Sequence, residues 1–114
     1  MVYWITGRKD SGKTTLAYRI AGQVNGVVID GDEVRQFFPT GWTDDNRFEH
    51  IMMMARFARL LEKQGKIVIV ACVSPKRKWR EKARLLFDEC VEICMPFGEL
   101  WEGTIYQEPE YEEV

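Results

Sequence analysis

The sequence predicts a three-layer α/β fold in which a small parallel sheet carries helices on both faces. Two observations lead to this fold class. Short apolar runs alternate with segments of helical periodicity, and the longest run, Ile67–Val73, is apolar without interruption. Strands that are apolar on both faces are typical of parallel sheets with right-handed helical crossovers. We therefore expect a single domain over residues 1–114, with about four strands in the order 2-3-1-4.

The first half of the chain alternates strand and helix twice. Val2–Thr6 is β-branched and aromatic, which predicts a buried strand. A helix is expected over 13–23 because small and aliphatic side chains recur there at helical spacing. A second strand over 27–29 follows, and then a short helix over 33–38 that Pro39 ends.

The second half repeats this alternation with longer elements. Ile51, Ala55 and Ala58 recur on one face of a long helix expected from about residue 45 to 64. The remaining elements are a strand over 67–73, a basic helix from 76 to about 88 and a strand over 91–95. The loops after the first three strands all begin at carboxyl ends of strands, where sites form in parallel sheets. A site is therefore expected at this edge.

Composition limits the class of protein. The 114 residues carry 16 Lys and Arg against 18 Asp and Glu, so the net charge of −2 favours neither nucleic acid nor a membrane surface as partner. No apolar run is long enough for a membrane span, and the N-terminal run lacks the basic flank of a signal peptide. Three cysteines without CxxC spacing indicate buried thiols rather than a disulfide or a zinc site. We expect a cytoplasmic protein.

Residues 7–14 form a candidate phosphate-binding loop. They read Gly-Arg-Lys-Asp-Ser-Gly-Lys-Thr, which fits the pattern GxxxxGKS/T between a strand and a helix. The glycines would let backbone N–H groups point at phosphates, Lys13 would charge-pair with the β- and γ-phosphates, and Thr14 would reach Mg²⁺. An ordinary strand–turn–helix is the alternative. The expected ATP contacts are Gly7, Asp10, Ser11, Gly12, Lys13, Thr14 and Thr15, with the Asp10 carboxylate close to the polyphosphate.

Two carboxylates follow the second strand. Asp30-Gly31-Asp32-x-x-Arg35 places Asp30 and Asp32 beside the loop, where a carboxylate can hold Mg²⁺ or take a proton from an attacking hydroxyl. The third strand ends without an Asp, so both duties are assigned to this pair. We expect Asp32 to act as base and metal ligand with Asp30 in support. The alternative is structural, with Asp32 as the N-cap of the short helix.

Basic residues and the single histidine complete the candidate site. The segment 74–80 reads Ser-Pro-Lys-Arg-Lys-Trp-Arg, and Arg77 and Arg80 share a helix face that suits a phosphate or sulfate group. A solvated basic helix is the alternative. His50 is either a base or substrate ligand, or a neutral semi-buried imidazole. Four aromatic residues could stack on a base or sugar, or simply pack: Phe37, Phe38, Trp42 and Phe48.

In this order, the motifs GxxxSGKTTLA, DGDxxR and SPxRxxR resemble those of adenylylsulfate (APS) kinases, and the resemblance covers residues 1–96. It implies a P-loop kinase fold and transfer of the γ-phosphate of ATP, with Mg²⁺, to the 3′-hydroxyl of adenylylsulfate in sulfate assimilation. It also implies that Asp32 lies near that hydroxyl and that Arg35 and Arg47 contact the substrate. Ser74 matches a serine marked in that family as a phosphoserine intermediate. The expected catalytic set is Asp32, Lys13, Asp30 and Ser74, and the further substrate contacts are His50, Arg77 and Arg80.

The chain departs from that family at several positions. His50 stands where the family has Asn, and Met52 and Met53 stand where it has Arg. A lid of roughly forty residues is expected to be missing after about residue 96. There the chain continues as an acidic tail over 99–114, with a weakly PYE-like segment.

Two other functions remain open. A polynucleotide or nucleoside kinase would use the basic segment 76–84 to follow a phosphate backbone. A non-catalytic ATP-binding module would keep the phosphate loop without turnover. In each case we expect a small-molecule nucleotide as ligand, and a homodimer is an open alternative to a monomer.

Overall fold

The computed structural model describes residues 1–96. The expectations of a missing lid, an acidic tail and a PYE-like segment lie outside the described residues. The strands of the described part are β1 (Val2–Thr6), β2 (Val27–Asp30), β3 (Val68–Cys72) and β4 (Cys90–Cys94). Its helices are α1 (Lys13–Val24), α2 (Gly31–Phe37), α3 (Asp44–Lys63) and α4 (Arg77–Arg84).

The four described strands form one parallel sheet in the order β2-β3-β1-β4. This order confirms the prediction. Strand β1 is paired on both sides, with Val2 opposite Val68 of β3 and Cys90 of β4. Because all the strands run the same way, their carboxyl ends lie along one edge of the sheet.

The two faces of the sheet pack into separate apolar clusters, and this makes the fold three-layered. On β3, Val68, Val70 and Cys72 join the cluster that contains residues of α3 and α4, whereas Ile69 and Ala71 join the cluster of α1. All five of these side chains are buried. The uninterrupted apolar run that predicted a parallel strand therefore reflects burial on both faces of β3.

Helix α2 begins two residues earlier than predicted, because Asp30 caps it. The Asp30 Oδ1 atom accepts hydrogen bonds from the backbone N–H groups of Asp32 (2.9 Å) and Glu33 (3.3 Å). The interpretation of Asp32 as the N-cap was therefore wrong, since Asp30 occupies that position. This leaves the Asp32 carboxylate exposed on the first turn.

Helix α4 ends at Arg84 rather than near residue 88. The backbone N–H groups of Asp88 and Glu89 donate to the Glu62 carboxylate at the end of α3, at 3.0 and 3.4 Å. Donors engaged there are not available to a longer α4, and the chain turns into β4 instead.

All three cysteines lie in the described part of the chain, and none of them is joined in a disulfide there. Cys72 is buried, while Cys90 and Cys94 are half-buried. Burial raises the pKa of Cys72 to about 12 and that of Cys90 to about 11, so both thiols are neutral near pH 7. Within residues 1–96, no three His, Cys, Asp or Glu side chains are grouped to hold a metal ion, and no helix is long and apolar enough to cross a membrane.

Candidate active site

A cavity of about 430 Å³ opens where the loops after β1, β2 and β3 meet. Its position at the carboxyl edge of the sheet agrees with the expectation from parallel topology. The residues that line it come from three regions: the loop over 9–15, a set of polar, charged and apolar residues between positions 30 and 51, and the end of β3 with the turn that follows it, over 71–75. The cavity therefore brings together residues that are up to 66 positions apart in the sequence, from Lys9 to Pro75.

The phosphate-loop conformation depends on glycine at both ends. Gly7 has a φ of +153° and Gly12 a φ of +89°, in the region that other residues rarely adopt. A Cβ atom on Gly7 would lie 2.9 Å from the Cβ of Met95. Gly12 directly precedes α1, so the loop brings the positive end of that helix to the cavity. This arrangement suits an anion.

Two local hydrogen bonds hold the Lys13 side chain against the loop. Its Nζ atom donates to the backbone carbonyl of Arg8 at 2.7 Å and to Ser11 Oγ at 3.5 Å. Burial lowers the pKa of Lys13, and nearby Asp32 and Asp30 oppose that effect. A phosphate oxygen placed in the loop can take over these bonds with a stronger, charge-assisted contact.

Asp30 and Asp32 have different roles in the geometry. The Thr14 hydroxyl donates to Asp30 Oδ2, while Asp30 Oδ1 caps α2. Asp30 is buried and joins α1 to α2, whereas Asp32 is exposed and lines the cavity. The sequence analysis assigned Thr14 and Asp32 as metal ligands. In the structure, the Thr14 hydroxyl instead donates its hydrogen bond to Asp30.

Three of the predicted substrate contacts line the cavity together with an aromatic ring. The Arg35 guanidinium lies over the Trp42 ring at 3.9 Å and that of Arg47 at 5.8 Å from the ring centroid. Burial lowers the pKa of Arg35, and the neighbouring charge of Arg47 lowers it further. His50 is the third contact and is 7% exposed. Two close guanidinium groups favour an anionic ligand here.

The structure does not bring Arg77 and Arg80 into this cavity. Arg80 is buried, donates to the Ser74 carbonyl at 2.7 Å and lies 3.3 Å from a Glu92 oxygen of β4. Arg84 contacts the same carboxylate. Arg80 and Arg84 therefore share a face of α4 that is turned towards β4.

Ser74 lies in the cavity wall with its hydroxyl already engaged. It is 2% exposed, accepts a hydrogen bond from Trp4 Nε1 at 3.2 Å and donates to Thr6 Oγ1 at 2.8 Å. Its φ of +36° marks a sharp turn after β3. These contacts favour a structural role over the phosphoserine role implied by the resemblance.

Sequence reasoning singled out Trp42 only as one of four aromatic residues. Of these four, the cavity lining includes Trp42 alone, while Phe37 and Phe38 line a separate apolar cleft with Phe57. The sequence holds no signal that separates Trp42 from Phe37 and Phe38, since all three lie between Arg35 and Arg47. Cys72 and Ile51 also line the cavity and were not predicted as site residues.

The family model described as Adenylylsulphate kinase matches residues 1–107 of the chain. The chain belongs to the adenylylsulfate kinase family. It is 38% identical over 99 residues to a probable adenylyl-sulfate kinase of Archaeoglobus fulgidus, covering 81% of this chain and 64% of that relative. It is 37% identical over 95 residues to an adenylyl-sulfate kinase of Bacillus velezensis, covering 77% and 48%. This family member thus spans about half to two thirds of the length of these curated relatives.

Solved structures of the family share its architecture. An APS kinase of Mycobacterium tuberculosis in complex with AMPPNP and APS aligns with a TM-score of 0.78 at 26% identity, over 82% of this chain and 61% of that one. A gluconokinase from Sinorhizobium meliloti aligns with a TM-score of 0.66 at 21% identity, over 82% and 55%, which shows the fold alone. The predicted P-loop kinase fold is confirmed.

Proposed function

We propose that this chain is an ATP- and Mg²⁺-dependent phosphotransferase that moves the γ-phosphate of ATP to the 3′-hydroxyl of adenylylsulfate. The observation that carries this proposal is that one cavity holds both the phosphate loop and the arginine pair. The loop suits the polyphosphate of a donor, and Arg35 with Arg47 suits a second anion. An exposed carboxylate, Asp32, lines the same cavity. Two anionic ligands and a base are the requirements of a kinase.

On the donor side, Lys13 and the start of α1 bind the β- and γ-phosphates. Thr14, Asp30 and Asp32 line the cavity with the hard oxygen donors that suit Mg²⁺, which commonly binds one or two carboxylates together with substrate phosphates. When bound, Mg²⁺ neutralises charge on the transferred phosphate. Asp30 holds the Thr14 hydroxyl in position and keeps α2 next to α1.

On the acceptor side, Asp32 orients the attacking hydroxyl and accepts its proton. Arg35 and Arg47 hold the phosphosulfate group, and Trp42 offers a ring on which a base can stack. In-line transfer to a hydroxyl needs no covalent enzyme intermediate. Ser74 therefore has a structural role in the wall of the site and takes no part in phosphate transfer.

The single-domain organisation, the homodimer, the cytoplasmic location and a role in sulfate assimilation stay predictions. The polynucleotide-kinase alternative is less favoured, because Arg80 and Arg84 contact Glu92 of the same chain. A phosphate backbone would have to compete with that carboxylate.

The test is to incubate the protein with ATP, Mg²⁺ and adenylylsulfate and to separate the products by chromatography. We expect phosphorylated adenylylsulfate. Lys13→Ala should weaken ATP binding about 10- to 100-fold, through loss of charged hydrogen bonds. Asp32→Asn should keep ATP binding but slow transfer by about 100-fold or more. Lys66→Ala, on the exposed turn after α3, is the matched control.

The possible results separate the three functions. Unchanged ATP affinity in Lys13→Ala would contradict the phosphate-loop assignment. ATP binding without transfer to adenylylsulfate would favour the non-catalytic module. Salt-sensitive binding of single-stranded nucleic acid would favour the polynucleotide kinase.

A further inference from the structure

Met95 belongs to none of the sequence motifs, but it lies next to the phosphate loop. It directly follows β4, and its backbone N–H group donates a hydrogen bond to the Thr6 carbonyl at 2.9 Å. Thr6 is the last residue of β1 and directly precedes Gly7, the first residue of the loop. The hydrogen bond therefore continues the pairing of β4 with β1 and places Met95 beside the start of the loop.

The Met95 side chain extends along the loop from one glycine to the other. A Cβ atom on Gly7 would lie 2.9 Å from Met95 Cβ and 3.3 Å from the Met95 carbonyl oxygen, which is too close for a side chain at position 7. A Cβ atom on Gly12 would lie 3.6 Å from Met95 Cε, so the end of the side chain lies close to Gly12. Met95 also packs on the buried cluster that contains Ile5 and Ala17. It thus connects both ends of the loop with the apolar core.

Met95 contacts the loop outside the cavity. Residues 9–15 line the cavity, whereas Met95 is not among the described residues that do so. Its side chain can therefore act on a ligand only through the loop. The two glycines give the loop backbone high conformational entropy. A packed side chain that restricts this backbone lowers the entropy that is lost when a polyphosphate binds.

We propose that Met95 is a positioning residue, which packs against Gly7 and Gly12 and so holds the phosphate loop in the conformation that binds the polyphosphate of a nucleotide. The inference rests on the donor side of the proposed function and does not depend on the acceptor. A long, unbranched side chain suits this position, because it reaches both glycines and fills an irregular gap. Leu has a similar volume and should keep most of this packing, whereas Ala should leave a gap next to the loop.

Three substitutions of one residue test the inference. Met95→Ala removes the side chain beyond Cβ, Met95→Val shortens it, and Met95→Leu keeps its volume. If Met95→Ala is too unstable for calorimetry, Met95→Val carries the same test. Ile20→Ala is the matched control, since Ile20 packs on the same apolar cluster about two helical turns away from the loop.

Four measurements are made on each variant. Calorimetry gives the affinity for AMPPNP with Mg²⁺ and, at saturating AMPPNP, the affinity for adenylylsulfate. Hydrogen exchange of the backbone amides over 7–12 reports on the loop without ligand. Urea denaturation gives the global stability, so that a local effect on the loop is separated from general destabilisation.

We expect Met95→Ala to weaken AMPPNP binding about tenfold and to speed exchange over 7–12, with adenylylsulfate affinity unchanged at saturating AMPPNP. Met95→Val should weaken AMPPNP binding by a smaller factor, and Met95→Leu should bind within about twofold of wild type. Ile20→Ala should lose stability but keep the wild-type AMPPNP affinity and the wild-type exchange over 7–12.

Wild-type AMPPNP affinity in Met95→Ala overturns the inference and leaves the proposed function intact. An equal loss of affinity in Met95→Ala and Ile20→Ala also overturns it, because general destabilisation would then explain the loss. A wild-type protein that binds AMPPNP but does not phosphorylate adenylylsulfate overturns the proposed function and leaves the inference intact. Failure of the wild-type protein to bind AMPPNP overturns both.

Discussion

At the residue scale, Asp10 introduces a negative charge into a loop that otherwise favours an anion. It is exposed, lines the cavity and has a left-handed φ of +57°. Its charge acts on Lys13, whose pKa it raises against the larger lowering effect of burial. A polyphosphate in the loop would meet this carboxylate, and the repulsion would weaken binding.

Asp10→Asn should therefore tighten ATP binding about three- to tenfold at low salt, because it removes the charge. Asn adopts positive φ as readily as Asp, so the loop should keep its conformation. Calorimetry at two salt concentrations measures the effect, and the gain should shrink as salt screens the repulsion. Glu81→Gln removes an equal charge from the exposed face of α4 and is the control. Equal affinity of Asp10→Asn and wild type would contradict the prediction.

At the scale of elements, α4 is held to the sheet by the buried face that sequence reasoning assigned to substrate binding. Arg80 connects two points, the Ser74 carbonyl after β3 and Glu92 on β4. Arg84 contacts Glu92 from a half-exposed position. The hydroxyl group of the same residue, Ser74, contacts Trp4 and Thr6. Arg80 thus stabilises the wall of the cavity from the side that faces away from the cavity.

Arg80→Ala should lower the free energy of unfolding by about 2 kcal/mol, because it leaves a buried carbonyl and a carboxylate with fewer partners. Arg84→Ala removes the more exposed contact with Glu92 and should cost less than about 1 kcal/mol. Urea denaturation measures both values. Well below its melting temperature, Arg80→Ala should keep the wild-type KM for adenylylsulfate. A raised KM at unchanged stability would instead support the substrate-binding role.

At the scale of the whole molecule, Glu62 joins parts of the chain that are far apart in sequence. Its side chain is 3% exposed and pairs with the N-terminal ammonium group at 2.8 Å and with Arg59 at 2.8 Å. It also accepts hydrogen bonds from the backbone N–H groups of Asp88 and Glu89. The start of β1, the end of α3 and the turn before β4 therefore meet at one carboxylate.

This arrangement makes stability depend on acid pH. Burial acts to raise the pKa of Glu62, but hydrogen bonds from the N-terminal amine, Asp88, Arg59 and Glu89 lower it from 4.5 to about 2. A carboxyl group with a lowered pKa in the folded state stabilises that state above its unfolded pKa. This contribution is lost as the pH falls from about 4.5 to about 2.

Glu62→Gln should therefore lower the melting temperature at pH 7 by several degrees and reduce the loss of stability between pH 4.5 and 2. Thermal unfolding followed by circular dichroism across this range measures both effects. Glu49→Gln, an exposed position on the same helix, is the control. A Glu62→Gln variant with the same pH dependence as wild type would show that other carboxyl groups cause the acid sensitivity.

The sequence by itself determined the features that depend on local pattern. Apolar runs predicted the parallel strands, because burial on both faces requires uninterrupted apolar side chains. The pattern over 7–14 predicted the phosphate loop, since the backbone conformation depends on glycine at two positions in the same segment. Arg35, Arg47 and Asp32, which the sequence motifs and the family resemblance singled out, all line the cavity, while their roles stay predictions.

Only the tertiary structure decided how side chains from distant segments pair. Asp30 rather than Asp32 caps α2 and holds Thr14, Arg80 faces Glu92 instead of the cavity, and His50 is buried with a free Nδ1. Each outcome depends on which partner lies across the sheet or on the next helix. Helical spacing predicts which residues share a face of a helix. Which part of the molecule that face contacts follows from packing, because burial and the pairing of charges outweigh the local preferences of single residues.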